Sequence, residues 1–287
     1  MSSLYAYPAV STSRSLPEAL SRRHASVLTI AHRGVWSAAP ENSVSAIEAA
    51  IALGVEMVEI DTQSTADGAL VVIHDETLDR TTTGQGQVSE ASYRSIRELR
   101  LRETAGGPAA AVTDETLPLL TVALEAARDR VLVNIDTKYE RDLSRVAALV
   151  LDMGMSDQVI IKTDIDPDAA RHLIEDLGLL GKIVHMPMLR ARPGWFARDL
   201  AAIARLRPPM AEVKFASLAD LEAGRAELER QDIRLWVNTL DVSHCLDFND
   251  TRALADPDAV WGSLLAAGVG AIQTDSAAAL KAWLAAR

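Results

Sequence analysis

Cysteine is all but missing from this chain. A single thiol, Cys245, among 287 residues excludes an internal disulfide and a paired-thiolate zinc site, and it points to a reducing, cytoplasmic setting. Long apolar runs are missing too. Residues 1–24 hold no uninterrupted hydrophobic stretch of the kind a leader needs, and nowhere do about eighteen apolar residues run together, so neither export nor membrane insertion is expected. Basic charge is in short supply: 40 acidic residues against 29 basic ones give a formal charge of -11, which argues against a surface for nucleic acid or anionic membrane.

What is present is an ordinary globular composition, 48% hydrophobic and 24% charged, in a chain long enough for one large core. Nothing in it specifies an oligomeric state. Residues 1–26 read as a tail, of which Leu16 to Arg23 has a helical pattern suited to closing the bottom of a barrel. Beyond it, short apolar runs alternate with helical patterns. Strands are expected at Val27 to Ala31, Glu56 to Asp61, Val131 to Asp136, Val159 to Lys162, Lys182 to His185, Ala211 to Lys214, Ile233 to Val237 and Ala271 to Thr274. Among the helices between them, the first is capped by Asn42 or Ser43 and ended by Gly54. Later ones are read at Pro167 to Leu177, Phe196 to Leu206 and Leu218 to Arg230. Eight strands alternating with helices predict an α/β fold, a (β/α)8 TIM barrel over residues 27–287. Asp67-Gly68 marks a hairpin after the second strand, and an excursion over about 77–117 follows it, where a barrel carries its active face.

Such a barrel performs its chemistry at the C-terminal ends of its strands. The first strand ends in His32-Arg33-Gly34. In the second, Glu59 and Asp61 are two apart and therefore share a face. Paired carboxylates raise each other's pKa unless a cation neutralises them, and a hard divalent ion is their usual partner. The hairpin brings His74 back toward the pair. Taken singly, each group has a plainer explanation: a packed histidine, a surface arginine, a polar edge strand.

Together they form an ordered series: HRG, PEN, an EID pair, T-x-DG, HD, LDRTT and G-x-G-x-V, all between Leu28 and Val88. This series resembles the signature of the glycerophosphodiester phosphodiesterase family, with weaker echoes at Leu117-Pro118, Asp136-Thr137-Lys138, Trp236 and Gly268 to Asp275. The resemblance implies a TIM-barrel phosphodiesterase domain with a small insertion at 77–117. It also implies metal-dependent hydrolysis of a small glycerophosphodiester to glycerol 3-phosphate and an alcohol. Carried over residue by residue, it makes His32 and His74 the general acid/base pair and Glu59, Asp61 and Asp136 ligands of a divalent metal, Mg2+ or Ca2+ with Mn2+ an alternative. Arg33, Lys138 and Trp236 become contacts to phosphate or substrate, Trp236 as an apolar wall for the alcohol. Arg33, Lys138 and the metal would make the site locally positive within an acidic protein.

The chain departs from the family pattern in three places. Asp136 stands where Glu is common, Lys162-Thr163 where many relatives have Ser-Phe, and Trp236-Val237-Asn238-Thr239 where Trp-Thr-Val-Asn is usual. The ordinary reading of Asp136 and Lys138 is an ion pair lining the barrel. Altered walls leave open a sugar phosphodiester or a lysophospholipid-type diester as substrate, and beyond those a binding barrel that keeps only the phosphate grip. His185, at the expected end of strand five, reads as a satisfied barrel histidine, and Trp195 as a cover for a headgroup or as loop packing.

Overall fold

The computed structural model describes residues 19–23 and 26–287. Eight parallel strands close on themselves: β1 (Leu28–His32), β2 (Met57–Ser64), β6 (Leu132–Thr137), β7 (Val159–Asp164), β8 (Val184–Ala191), β9 (Met210–Phe215), β10 (Arg234–Leu240) and, after the short β11 (Ser243–His244), β12 (Val269–Thr274). The ring closes because β1 pairs with β12 on one side and with β2 on the other. This is the expected (β/α)8 barrel.

Strand alternation sorts the core into two layers. Inward residues Ile30, Met57, Ile160, Met186, Met210, Trp236 and Ala271 fill the barrel, while Ala31, Val58, Ile161, Leu189, Val213 and Val237 face the helices. Leu20, helical and fully buried, joins the inner group from below. Arg234 pins that end by donating to the carbonyls of Leu20, Ser21, Ser26 and Gly270. The rest of the expected tail helix lies outside the described residues.

The first helix, Val44–Leu53, follows its sequence signals closely. Ser43 caps it by accepting from the Ala46 amide, and Gly54 ends it in the left-handed region. The hairpin after β2 is tied by Thr65 N–H to the Ala69 carbonyl and leads to β3 (Leu70–Val72). From there to the helix Leu120–Ala127 the chain makes its excursion. It contains a two-stranded antiparallel pair, β4 (Arg100–Arg102) and β5 (Val112–Thr116), with its own apolar group of Val71, Ile73, Leu78, Val88, Ile96, Leu101 and Leu117.

Three expectations need correction. The helix expected from Pro167 shrinks to Leu173–Asp176, because Asp166 accepts the Asp168 amide in a turn and His172 is extended. The helix from Leu218 breaks into Leu218–Ala223 and Arg225–Gln231 at Gly224, where a Cβ would collide with the Phe196 ring. β8 does not stop at His185. It runs through Pro187 to Ala191, paired with β9 from Met188 opposite Glu212 to Ala191 opposite Phe215. No described helix is long and apolar enough to cross a membrane.

Candidate active site

The HRG turn is made by two residues in the left-handed region, Arg33 (φ 56) and Gly34 (φ 80). Gly34 is required there twice over. Its φ favours glycine, and a Cβ would come within 2.7 Å of Ala46 on the first helix. The turn releases His32 into the barrel mouth and folds Arg33 back over β2, where its amide donates to Glu59 (3.2 Å).

The PEN stretch holds this arrangement. Glu41 is buried and accepts from Arg33 Nη1 (2.9 Å) and from Arg80 (2.7 Å). Asn42, also left-handed, clasps Asp61 at both ends: its Nδ2 donates to the carboxylate (2.7 Å) and its Oδ1 accepts the Asp61 amide (3.0 Å). Arg33 Nε lies 3.2 Å from the same carboxylate. Asp61 is thereby fixed in orientation before any ligand arrives.

Glu59, Asp61 and Asp136 each offer a carboxylate oxygen, and these lie within 4.8 Å of one another. The register explains the convergence, since Asp61 on β2 is directly opposite Asp136 on β6. Burial and the neighbouring Asp61 push the Glu59 carboxyl up to about 8, despite help from His32 and Lys162. The protein's own cations therefore leave this cluster short of positive charge. An all-oxygen set with that deficit fits a hard divalent cation.

Asp136 does not form an ion pair with Lys138. β6 ends at Thr137, Lys138 is exposed, and its backbone amide is taken by the Thr62 carbonyl. The partner of Asp136 is Lys162 on β7, at 2.9 Å, and Lys162 also reaches Glu212 on β9 at 3.2 Å. Burial opposes ionisation of Asp136, but the Lys162 ammonium outweighs it and holds the carboxyl below its usual range. The same two carboxylates, working against burial, raise Lys162 well above the ordinary lysine value.

Both candidate histidines are bonded through Nδ1 to a carboxylate, His32 to Asp275 (2.7 Å) and His74 to Asp75 (2.8 Å). A carboxylate accepts, so Nδ1 carries the proton and Nε2 is left for chemistry. Burial would lower the His32 pKa, but the Asp275 bond and the nearby Glu59 more than compensate and raise it. Asp75 is held far below the normal carboxylate range by Arg80. His74 lies beyond β3 rather than in it, with a side chain 40% exposed. Gln63 replaces the missing ladder: its side-chain amide nitrogen, Nε2, donates to the carbonyls on either side, Ile73 (3.2 Å) and Asp75 (2.6 Å). Asp250, pushed up to about 6 by burial, accepts from Thr239, Thr274 and the Asp275 amide, and so anchors the partner of His32.

Trp236 is not a pocket wall. It is fully buried in the inner core, and its indole N–H donates to Asn238 (2.7 Å), which in turn donates to Glu212 (3.0 Å). Its parity is inward, as alternation predicts, but none of its side chain is exposed to a ligand. His185, the second residue of β8, sits low on the strand next to the inward Met186 and bonds Thr163 (2.9 Å); burial lowers it to about 4. Trp195 stacks beside Arg198 and Arg192. The supporting residues Gln63, Asp75, Arg80, Lys162, Glu212, Asp250 and Asp275 were not singled out as site residues. Strand-end position marked Lys162, Glu212 and Asp275, and the HD and LDRTT motifs contained Asp75 and Arg80.

Residues 32–175 match the glycerophosphoryl diester phosphodiesterase family, and residues 185–284 match a domain of unknown function. A glycerophosphodiester phosphodiesterase of Caldanaerobacter subterraneus subsp. tengcongensis is 39% identical over 134 residues, which cover 46% of this chain and 51% of that protein. The chain spans about half the length of the curated relatives it matches. Among solved structures, a glycerophosphodiester phosphodiesterase from Agrobacterium tumefaciens superimposes with a TM-score of 0.65 at 26% identity, covering 89% of this chain and 99% of the other. An Oleispira antarctica phosphodiesterase in complex with the product sn-glycerol-3-phosphate has the same fold, with a TM-score of 0.64 at 20% identity over 89% of this chain and 95% of its own.

Proposed function

The chain belongs to the glycerophosphoryl diester phosphodiesterase family, and from that premise we propose that it hydrolyses a small glycerophosphodiester to glycerol 3-phosphate and an alcohol. The observation that carries this reading is the pair of His–Asp couples beside a three-carboxylate cluster: Asp136 feels the charge of both imidazoles, and Glu59 that of His32. The product seen in the Oleispira antarctica enzyme fits the same chemistry.

Glu59, Asp61 and Asp136 would hold a divalent cation, Mg2+ or Ca2+ with Mn2+ as the alternative, which when bound supplies charge stabilisation to the phosphoryl oxygens. Arg33 is gripped by Glu41 and Asp61, and its remaining Nη2 orients a non-bridging oxygen. Lys138, exposed and without a side-chain partner among the described residues, adds a second cation on the β6 side. His32, whose raised pKa keeps it protonated further toward neutral pH, donates the proton to the departing alcohol oxygen. His74, held on its loop and open to solvent, takes the proton from the attacking water. A barrel that only binds phosphate has no use for two oriented imidazoles.

Phosphorus NMR of glycerophosphoglycerol with the protein and each of the three metals tests the reading. The wild type should yield glycerol 3-phosphate, and His32→Ala should lower kcat about a thousandfold while still binding the metal. A wild type that leaves every diester intact would contradict the proposal.

A further inference from the structure

Across the mouth from the carboxylate cluster lies a cavity of about 310 Å³ between β7, β8 and β9, lined by Asp164, Asp166, Met188, Arg190, Glu212 and Lys214 among others. Arg190 and Lys214 are register partners on adjacent strands. Each shares its strand's inward parity, Arg190 with Met186 and Lys214 with Met210, so both cations stand side by side on the lumen face at its upper rim.

Like charges directly opposite on neighbouring strands repel, and proteins normally relieve this with a carboxylate. Here nothing does. Neither Arg190 nor Lys214 has an ion pair or side-chain hydrogen bond among the described residues. The carboxylates of the cavity are elsewhere occupied or too far away: Glu212 is taken by Lys162 and Asn238, Asp166 caps the Asp168 amide, and Asp164 is not within ion-pair distance of either cation. The third cation, Arg192, is spent on Asp199 and Asp168. Two uncommitted cations in a cavity of ligand size are a place for an anion.

The cavity shares a wall with the carboxylate cluster. Glu212 lines it and holds Lys162, and Lys162 holds Asp136, so a single ammonium separates the two. We propose that Arg190 and Lys214 form a second anion subsite, which receives a carboxylate or phosphate carried by the alcohol half of the diester. This assignment rests on the phosphodiesterase reading above and deepens it: the preferred substrate is a diester with a second negative charge.

Three matched diesters test it: glycerophosphoglycerol, with a neutral alcohol; glycerophosphoglycerate, with a carboxylate; and glycerophosphoglycerol phosphate, with a phosphate. The wild type should favour at least one anionic diester over the neutral one by about tenfold in kcat/KM, mainly through KM. The two anionic diesters tell a carboxylate site from a phosphate site. In R190Q/K214Q that ratio should fall to about one, and K214R should retain it. Equal rates on all three diesters in the wild type, or a ratio that survives in R190Q/K214Q, would overturn the subsite. If the wild type turns over no diester, the failure belongs to the phosphodiesterase reading. Calorimetric titration of chelator-treated protein with inorganic phosphate then reads the subsite separately: weaker binding in R190Q/K214Q supports it, and equal binding overturns it.

Discussion

On the β1, β2 and β6 side of the barrel mouth, Lys138 apart, the site's polar side chains are held by other protein groups before any ligand binds. Asn42 clasps Asp61, Glu41 ties Arg33 to Arg80, Gln63 holds the His74 loop, and Asp275 orients His32. On the β8 and β9 side, Arg190 and Lys214 stand exposed beside a cavity, unpaired among the described residues. Lys162 joins the two halves through Asp136 and Glu212. The difference has a physical meaning. Stabilising a transition state needs groups already in place, so that no reorganisation is required at the moment of reaction, whereas accommodating a substrate's variable half needs groups that ordering by the ligand can still engage.

Breaking the rigid half should have the largest effect. Asn42→Ala removes both bonds to Asp61 and leaves its amide unsatisfied. Metal affinity measured by titration calorimetry should weaken by about 10- to 100-fold, the usual consequence of losing a residue that orients a ligand.

Cutting the link between the halves comes next. Lys162→Met leaves Asp136 and Glu212 without their shared ammonium, and the metal-free protein should lose about 3 kcal/mol in denaturant unfolding. With that cation gone from beside the cluster, the metal should bind about tenfold more tightly. Weaker metal binding would mean that Lys162 shapes the cluster rather than competing for it.

The smallest expected effect concerns pH. Glu59 has a folded pKa of about 8, above its ordinary value of 4.5, so between those values the folded state holds a proton that the unfolded chain has released. The metal-free protein should therefore lose stability as pH rises through this window. A saturating divalent ion should remove the loss and release protons on binding. Melting curves across pH with chelator, compared for wild type and Glu59→Gln, check this; the variant should show a flatter profile.

The rigid half was also the legible half, and for the same reason. His32, Arg33, Glu41, Asn42, Glu59, Asp61 and His74 fall within a short stretch that spans two adjacent strands and their loops, so spacing and period-two alternation were enough to bring them together. Lys162, Glu212, Asp250 and Asp275 come from four separate strands or helices. Their roles depend on register between distant segments, which no local pattern carries. Alternation reports which face Trp236 takes but not how deeply it is buried in the barrel. Lys138 does not pair with Asp136, because β6 ends at Thr137 and the Lys138 side chain stands beyond it, exposed. His185 stands at the end of its expected strand, whereas β8 continues through Pro187 to put Arg190 at the rim.

Glu59, Asp61 and Asp136 would together hold one divalent ion, and turnover would depend on it. The most direct test is to strip the protein with chelator, add the metal back stepwise, and follow glycerophosphodiester conversion and bound ion in the same samples. Activity should vanish on chelation and return in step with about one ion per chain, with both lost in Asp61→Asn. Turnover that survives chelation, or an ion that still binds and restores activity in Asp61→Asn, would contradict it.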